Sequence, residues 1–269
     1  MQTVTSPDGT TIAYDEAGAG APLILVAGAF SYRKYPMLPK LVSALSDQFT
    51  VYNYDRRGRG DSTDTGPYSV QREIEDLAAL IEAAGGEADV WGQSSGAALA
   101  LHAAAADIGI RRLALYQPPF RVDKSTPLPP PDFQQHLTTL VADGNSSAAV
   151  RFMMTKGMGA PGFAVGIMRL LPLWRRLTRL AHTLPYDVAI VGDKIYGEPL
   201  VAADFAEVKV PTLVMAGGKA PGPLRTGARQ LAEVLPDGRY QVLDGQSHAV
   251  SPAALKPALT AFFRQSPEE

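Results

Sequence analysis

Cysteine is absent from the 269 residues. That excludes a disulfide scaffold, a thiolate nucleophile and any Cys-ligated metal or cluster. Histidine is scarce too: the four sit far apart, at positions 102, 136, 182 and 248. A His-rich metal site is not expected, and no cofactor is called for. Neither sign of charge dominates, with 25 Lys and Arg against 27 Asp and Glu, so no broad basic surface for nucleic acid is expected. No run reaches the roughly 18 apolar residues of a membrane span. The nearest approach, 162–174, is interrupted by Arg169 and Pro172. Residues 1–11 are polar and lack the basic start and apolar run of a signal peptide. The expectation is a cytoplasmic chain with no membrane or nucleic-acid partner and a small hydrophobic substrate. Its oligomeric state is left open.

What is present is ordinary globular material, 46 % apolar and 19 % charged, long enough for a core that stands without staples. Strand and helix patterns alternate. Short apolar or β-branched runs at 11–17, 23–26, 50–54, 88–91 and 113–116 predict strands. The segments 40–45, 73–84 and 95–106 predict helices. The run Leu23-Ile24-Leu25-Val26 is continuous, as expected of a strand buried on both faces. The alternation returns with strands at 212–215 and 240–243 and helices at 224–235 and 253–263. Residues 266–269 are expected to fray. Alternating βαβ units predict an α/β chain with a mainly parallel sheet flanked by helices.

Between these halves the composition changes. Six prolines fall within 118–131, and no buried strand is predicted before Asp204. The segment is rich in Phe and Met and is read as a helical cap, giving a core of 1–124 and 206–269 around a cap of 125–205. Phe30, Phe120, Phe152 and Met153 are candidate walls of an apolar substrate pocket. The Arg175, Arg176 and Arg179 cluster beside Trp174 reads as a solvated helix face, with a phosphate or carboxylate clamp as the alternative.

One pentapeptide carries the strongest chemical signal. Gly92-Gln93-Ser94-Ser95-Gly96 matches G-x-S-x-G, follows a predicted strand and opens an Ala-rich helix, the context that motif needs. A serine on so sharp a turn is held in strained backbone. Its flanking glycines avoid clashes with the neighbouring strand and helix, and its Oγ stands above a helix N-terminus that favours a developing anion. A serine nucleophile needs a base. His248, in Gly245-Gln246-Ser247-His248, follows the last predicted strand. Ser94 and His248 then share the C-terminal edge where open α/β sheets hold their sites. The other three histidines read as structural or exposed.

The strand order, the serine turn, the late Gly-x-x-His loop and the helical insertion after the sixth strand resemble the α/β-hydrolase superfamily. So does Asp55-Arg56-Arg57-Gly58-Arg59-Gly60-Asp61-Ser62, which matches its D-x-R-G-x-G-x-S loop. The resemblance implies an eight-stranded α/β-hydrolase fold with a helical cap inserted after the sixth strand. It also implies that this Arg-rich loop is structural.

The resemblance further implies an oxyanion hole of two backbone N–H groups. Ser95 supplies one. The other comes from Ala27-Gly28-Ala29-Phe30, where Ala29 is the first choice and Phe30 the second, or else a wall of the acyl pocket. A triad acid is missing from its usual loop, here 216–222. A second family position falls on Gln117, of Glu size but uncharged; Asp123 is the other candidate. Gln93 also stands where many relatives have His. The resulting expectation is a serine-dependent hydrolase of a small hydrophobic ester, lactone or thioester. The alternatives are a non-hydrolytic lyase, decarboxylase or cyclase on the same scaffold, and a ligand-binding protein with a degenerate triad.

Overall fold

A computed structural model describes residues 1–265 of the chain. The expected fraying of 266–269 lies outside the described residues. Eight strands form one sheet: β1 (Gln2–Thr5), β2 (Thr11–Ala17), β3 (Ala21–Val26), β4 (Phe49–Tyr54), β5 (Ala88–Gln93), β6 (Ile110–Tyr116), β7 (Thr212–Gly217) and β8 (Gly238–Leu243). Their order is β1-β2-β4-β3-β5-β6-β7-β8. β2 runs against both of its neighbours, and β3 to β8 are parallel. This is the α/β-hydrolase architecture that the sequence predicts.

The two faces of the sheet follow from the period of two along each strand. Ile24 and Val26 of β3 enter one core with α2 (Val70–Ala83), α3 (Ser95–Ala105) and α9 (Gly222–Val234). Leu23 and Leu25 enter the other with α1 (Met37–Leu45) and α10 (Pro252–Phe263). Both faces are covered, so the central strands read as continuous apolar runs rather than as alternation.

Two kinds of element were illegible. β1 is short, mostly exposed and paired at the sheet edge, Gln2 opposite Tyr14; without a buried face it leaves no apolar period. Helices α1, α2 and α9 each begin two or three residues earlier than their apolar pattern. Their first turns hold Pro39, the Ser69 cap that accepts the Arg72 N–H, and Pro223.

Between β6 and β7 the described residues form helices: α4 (Phe133–Ala142), α5 (Ser146–Phe152), α6 (Gly162–Met168), α7 (Leu173–Arg179) and α8 (Leu184–Val191). A wide turn follows α5, closed by the Met158 N–H on the Met153 carbonyl. Helix α8 packs on α3, which sets the helical segment over the C-terminal edge of the sheet. Among the described residues no helix is long and apolar enough to cross a membrane.

Candidate active site

Ser94 lies between the end of β5 and the start of α3, at φ 55° and ψ −127°. For a residue with a Cβ this region costs about 1–3 kcal/mol and persists only where the surroundings enforce it. Here they do. The Ser94 N–H donates to the Tyr116 carbonyl at 2.9 Å, and its own carbonyl accepts the Ala97 N–H. The strand and helix that meet at the turn leave no room for side chains. A Cβ on Gly96 would stand 2.3 Å from the Val26 carbonyl oxygen, and one on Gly92 would stand 2.7 Å from the Ala97 Cα.

His248 is half-buried in the loop after β8. Its Nδ1 lies 2.8 Å from Oε1 of Gln117. Gln117 directly follows β6, is fully buried and has φ 50°; its N–H is fixed on the Met215 carbonyl at 3.0 Å. Its amide nitrogen Nε2 has no hydrogen-bond partner among the described residues. With Oε1 facing Nδ1, the imidazole carries its proton on Nδ1 and keeps the lone pair on Nε2. Burial lowers the His248 pKa below the ordinary imidazole value. The loop is tied from below by Gln93, whose Nε2 donates to the His248 carbonyl at 3.0 Å, and by the Tyr116 hydroxyl on the Ser247 carbonyl. Gln93 thus anchors the histidine loop, a use its departure from the family pattern did not suggest.

Asp123 is not brought to His248. Its carboxylate accepts from the N–H and hydroxyl of Ser125 in its own loop. Of the two candidate partners for the imidazole, the structure puts only the amide of Gln117 beside it.

Ala29 and Ser95 reach the same cavity as Ser94 and His248. The Gly28 carbonyl accepts from Arg59 Nη1 at 2.8 Å. In a planar trans peptide, C=O and the following N–H point opposite ways, so this bond fixes the direction of the Ala29 N–H. That N–H makes no backbone hydrogen bond among the described residues. Arg59 is held in turn by Asp187 of α8, Nη2 to Oδ2 at 2.8 Å. The other oxygen of Asp187 accepts from Arg56 at 2.8 Å and from the Ser95 hydroxyl at 2.7 Å. Glu73 takes two further bonds from Arg56, each at 2.7 Å. All four charged side chains are buried, two cations against two anions. Burial pushes the Asp187 carboxyl upward; Arg59 and Arg56 more than offset this and hold its pKa below the usual carboxylate value.

Sequence reasoning treated the Arg-rich loop as structural and overlooked Asp187. One signal was available. Asp187 is the first acid after Asp143, and it sits in the otherwise apolar helix Leu184–Val191. A lone carboxylate on such a helix needs a buried cation.

The cavity measures about 260 Å³. Ser94, Ser95, Ala29 and His248 meet in it, with Phe133, Met153, Val188, Val191 and Leu224 among its apolar walls. Arg121 also lines it, its guanidinium held by the Thr126 hydroxyl and the Gly157 carbonyl. Of the four expected pocket residues, only Met153 lines it. Phe30 is in the core at φ 60°. Phe120 packs against Phe205, and Phe152 stacks behind the wall on Phe133 with ring centroids 5.1 Å apart. The rotation of each element, set by packing, decides which aromatic faces the cavity. Among the described residues no three His, Asp or Glu side chains converge as a metal-ligand set.

Residues 23–260 match the model of the alpha/beta hydrolase family. A solved alpha/beta hydrolase from Sphaerobacter thermophilus DSM 20745 is 49% identical, with a TM-score of 0.89 over 97% of this chain and 100% of its own. An enol-lactonase from Burkholderia xenovorans LB400 shares the fold at 20% identity and a TM-score of 0.72, over 98% of this chain and 100% of its own. A meta-cleavage product hydrolase from Pseudomonas fluorescens IP01 does so at 16% identity and 0.66, over 98% and 97%. With the sheet order, the serine turn and a match spanning most of its length, this chain belongs to the alpha/beta hydrolase family.

Proposed function

We propose that the chain is a serine-dependent hydrolase acting on a small hydrophobic ester, lactone or thioester. The observation that carries this reading is the meeting of Ser94, His248, Ala29 and Ser95 in one largely apolar cavity. The 49% identical relative is an alpha/beta hydrolase, the family to which this chain belongs. In this mechanism Ser94 Oγ attacks the carbonyl carbon while His248 Nε2 takes its proton. The Ala29 and Ser95 N–H groups hold the oxyanion. The tetrahedral intermediate collapses to an acyl-serine, and the imidazolium returns its proton to the departing alcohol or thiol. Water, deprotonated by His248, then releases the acid and regenerates Ser94.

Reaction in ¹⁸O-water, with the products read by mass spectrometry, tests this. Hydrolysis puts one labelled oxygen into the acid product, and an active-site-directed fluorophosphonate transfers its phosphonyl group to Ser94 with loss of fluoride. Product formed without label sinks the hydrolytic reading. It would favour the alternative, an elimination, decarboxylation or cyclisation that needs only a base and an oxyanion hole. The observation behind that alternative is the neutral partner of His248. An amide oxygen selects the useful tautomer, yet it offers an imidazolium no opposite charge.

Gln117→Glu tests the part that the neutral partner of His248 plays. A carboxylate beside Nδ1 favours the charged imidazole, so the His248 pKa rises. In the parent chain the lowered pKa keeps the base neutral to lower pH, and the acid limb of kcat/KM falls below the ordinary histidine value. In Gln117→Glu that limb moves to higher pH, and turnover of an activated ester increases. A pH–rate profile identical to the parent's would remove Gln117 from the mechanism. Asp123→Asn serves as the control and is expected to stay within about twofold of the parent, as a surface change does.

A further inference from the structure

Among the described residues, six of the ten exposed large apolar side chains fall within the single stretch 158–173. Met158, Phe163, Ile167, Leu170, Leu171 and Leu173 are 40 to 85 % exposed and belong to α6, the turns around it and the start of α7. Phe163 and Ile167 are four residues apart on one side of α6, while Val165 is buried in the core. Folding gains nothing from exposing such a ridge, and exposed apolar residues clustered in this way mark an interaction site.

The segment that carries the ridge has charge of one sign. Between Asp143 and Asp187 the chain carries Arg151, Lys156, Arg169, Arg175, Arg176 and Arg179 and no acid at all. None of these six pairs with a carboxylate among the described residues. Arg151, Lys156 and Arg169 converge on an open depression of about 920 Å³, with Ser147, Trp174 and Thr178 also on its walls. Met158 joins this face to the catalytic cavity: it lines that cavity and is 46 % exposed.

We propose that this face docks onto an anionic phospholipid bilayer. Phe163, Ile167, Leu170 and Leu171 enter the boundary of the acyl chains, and the surrounding cations meet lipid phosphates, with the Arg151–Lys156–Arg169 depression taking a headgroup. Charge selects the occupant. A second copy in two-fold contact would lay the patch on itself and bring cations against the same cations, whereas an anionic leaflet neutralises them. Arg169 and Pro172, which disqualify 162–174 as a span, suit a segment that lies in the interface plane. The absence of a span led the sequence to predict no membrane partner. A surface ridge is invisible to that criterion, because composition does not say which apolar residues of a helical segment face outward. The docking does not depend on the chemistry at Ser94.

Flotation of the full chain with phosphatidylcholine vesicles, with and without phosphatidylglycerol, tests the proposal. Binding is expected to the anionic vesicles only and to weaken at high salt. Phe163→Ser with Leu170→Ser should abolish it while the melting temperature stays put, since both side chains are mostly exposed. Each cation near an anionic surface is worth about fivefold in binding, so Arg151→Gln, Lys156→Gln and Arg169→Gln together should cost about a hundredfold. Three outcomes overturn the proposal: no vesicle binding, equal binding to both vesicle types, or a dimer in solution that Phe163→Ser dissociates.

Discussion

Ser94→Ala is expected to reduce turnover of an activated ester by about 10⁶-fold, the scale at which removal of a serine nucleophile leaves only oxyanion and binding effects. The fold should survive. Ser94 is held by its backbone, through its N–H on Tyr116 and its carbonyl on Ala97, and alanine keeps those bonds. Unfolding free energy should change by no more than about 0.5 kcal/mol. His248→Ala should lose a similar factor, and the double variant should be little worse than either single one, because nucleophile and base act in the same step. Steady-state rates of the three variants, with melting curves to show that each is folded, decide the matter. Independent, multiplying losses would mean that Ser94 and His248 do not share a step. Parent-like activity in Ser94→Ala would end the covalent mechanism.

The largest stability effect is expected at Asp187. Its carboxylate joins Arg56, Arg59 and the Ser95 hydroxyl, all buried. Asp187→Ala leaves two buried guanidinium groups facing the single remaining anion, Glu73. An uncompensated buried charge of this kind costs about 3–5 kcal/mol, a fall in melting temperature on the order of 10 °C for a chain of this size. Arg59→Leu combined with Asp187→Leu removes one charge of each sign and should cost less than Asp187→Leu alone, a coupling that a double-mutant cycle measures. Activity provides a second readout. Arg59 holds the Gly28 carbonyl and so aims the Ala29 N–H. Loss of a single oxyanion donor costs about 10²–10³ in turnover, and a misdirected donor should approach that range in kcat with little change in KM. Asp187→Ala with parent melting temperature and parent kcat would show that the cluster neither stabilises the chain nor positions the donor.

Much of this protein was legible in its sequence because it depends on local constraints. A strand buried on both faces has to be continuously apolar, and 23–26 is. A serine at a strand-to-helix turn has to be flanked by glycine, and Gly92 and Gly96 stand where any Cβ would strike backbone. These patterns determined the fold class and the position of the serine turn. A loop histidine at the same sheet edge could be named for the same reason. β1 stayed hidden because an exposed edge strand has no buried face to impose a period.

The remainder depends on contacts between residues far apart in the chain, which local pattern cannot encode. Gln117 and His248 are 131 positions apart, and only the ends of β6 and β8 bring the amide oxygen to Nδ1; the same geometry leaves Asp123 on Ser125. Asp187 reaches Arg56 across 131 positions, because α8 packs on α3. Which aromatics line the cavity is decided by the rotation of each element, so Met153 lies on the wall while Phe152 stands behind it. Which apolar residues of 158–173 face water is decided by how few neighbours the helical segment has on its outer side. Composition counts those residues in either case; only packing in three dimensions assigns them to core, cavity or surface.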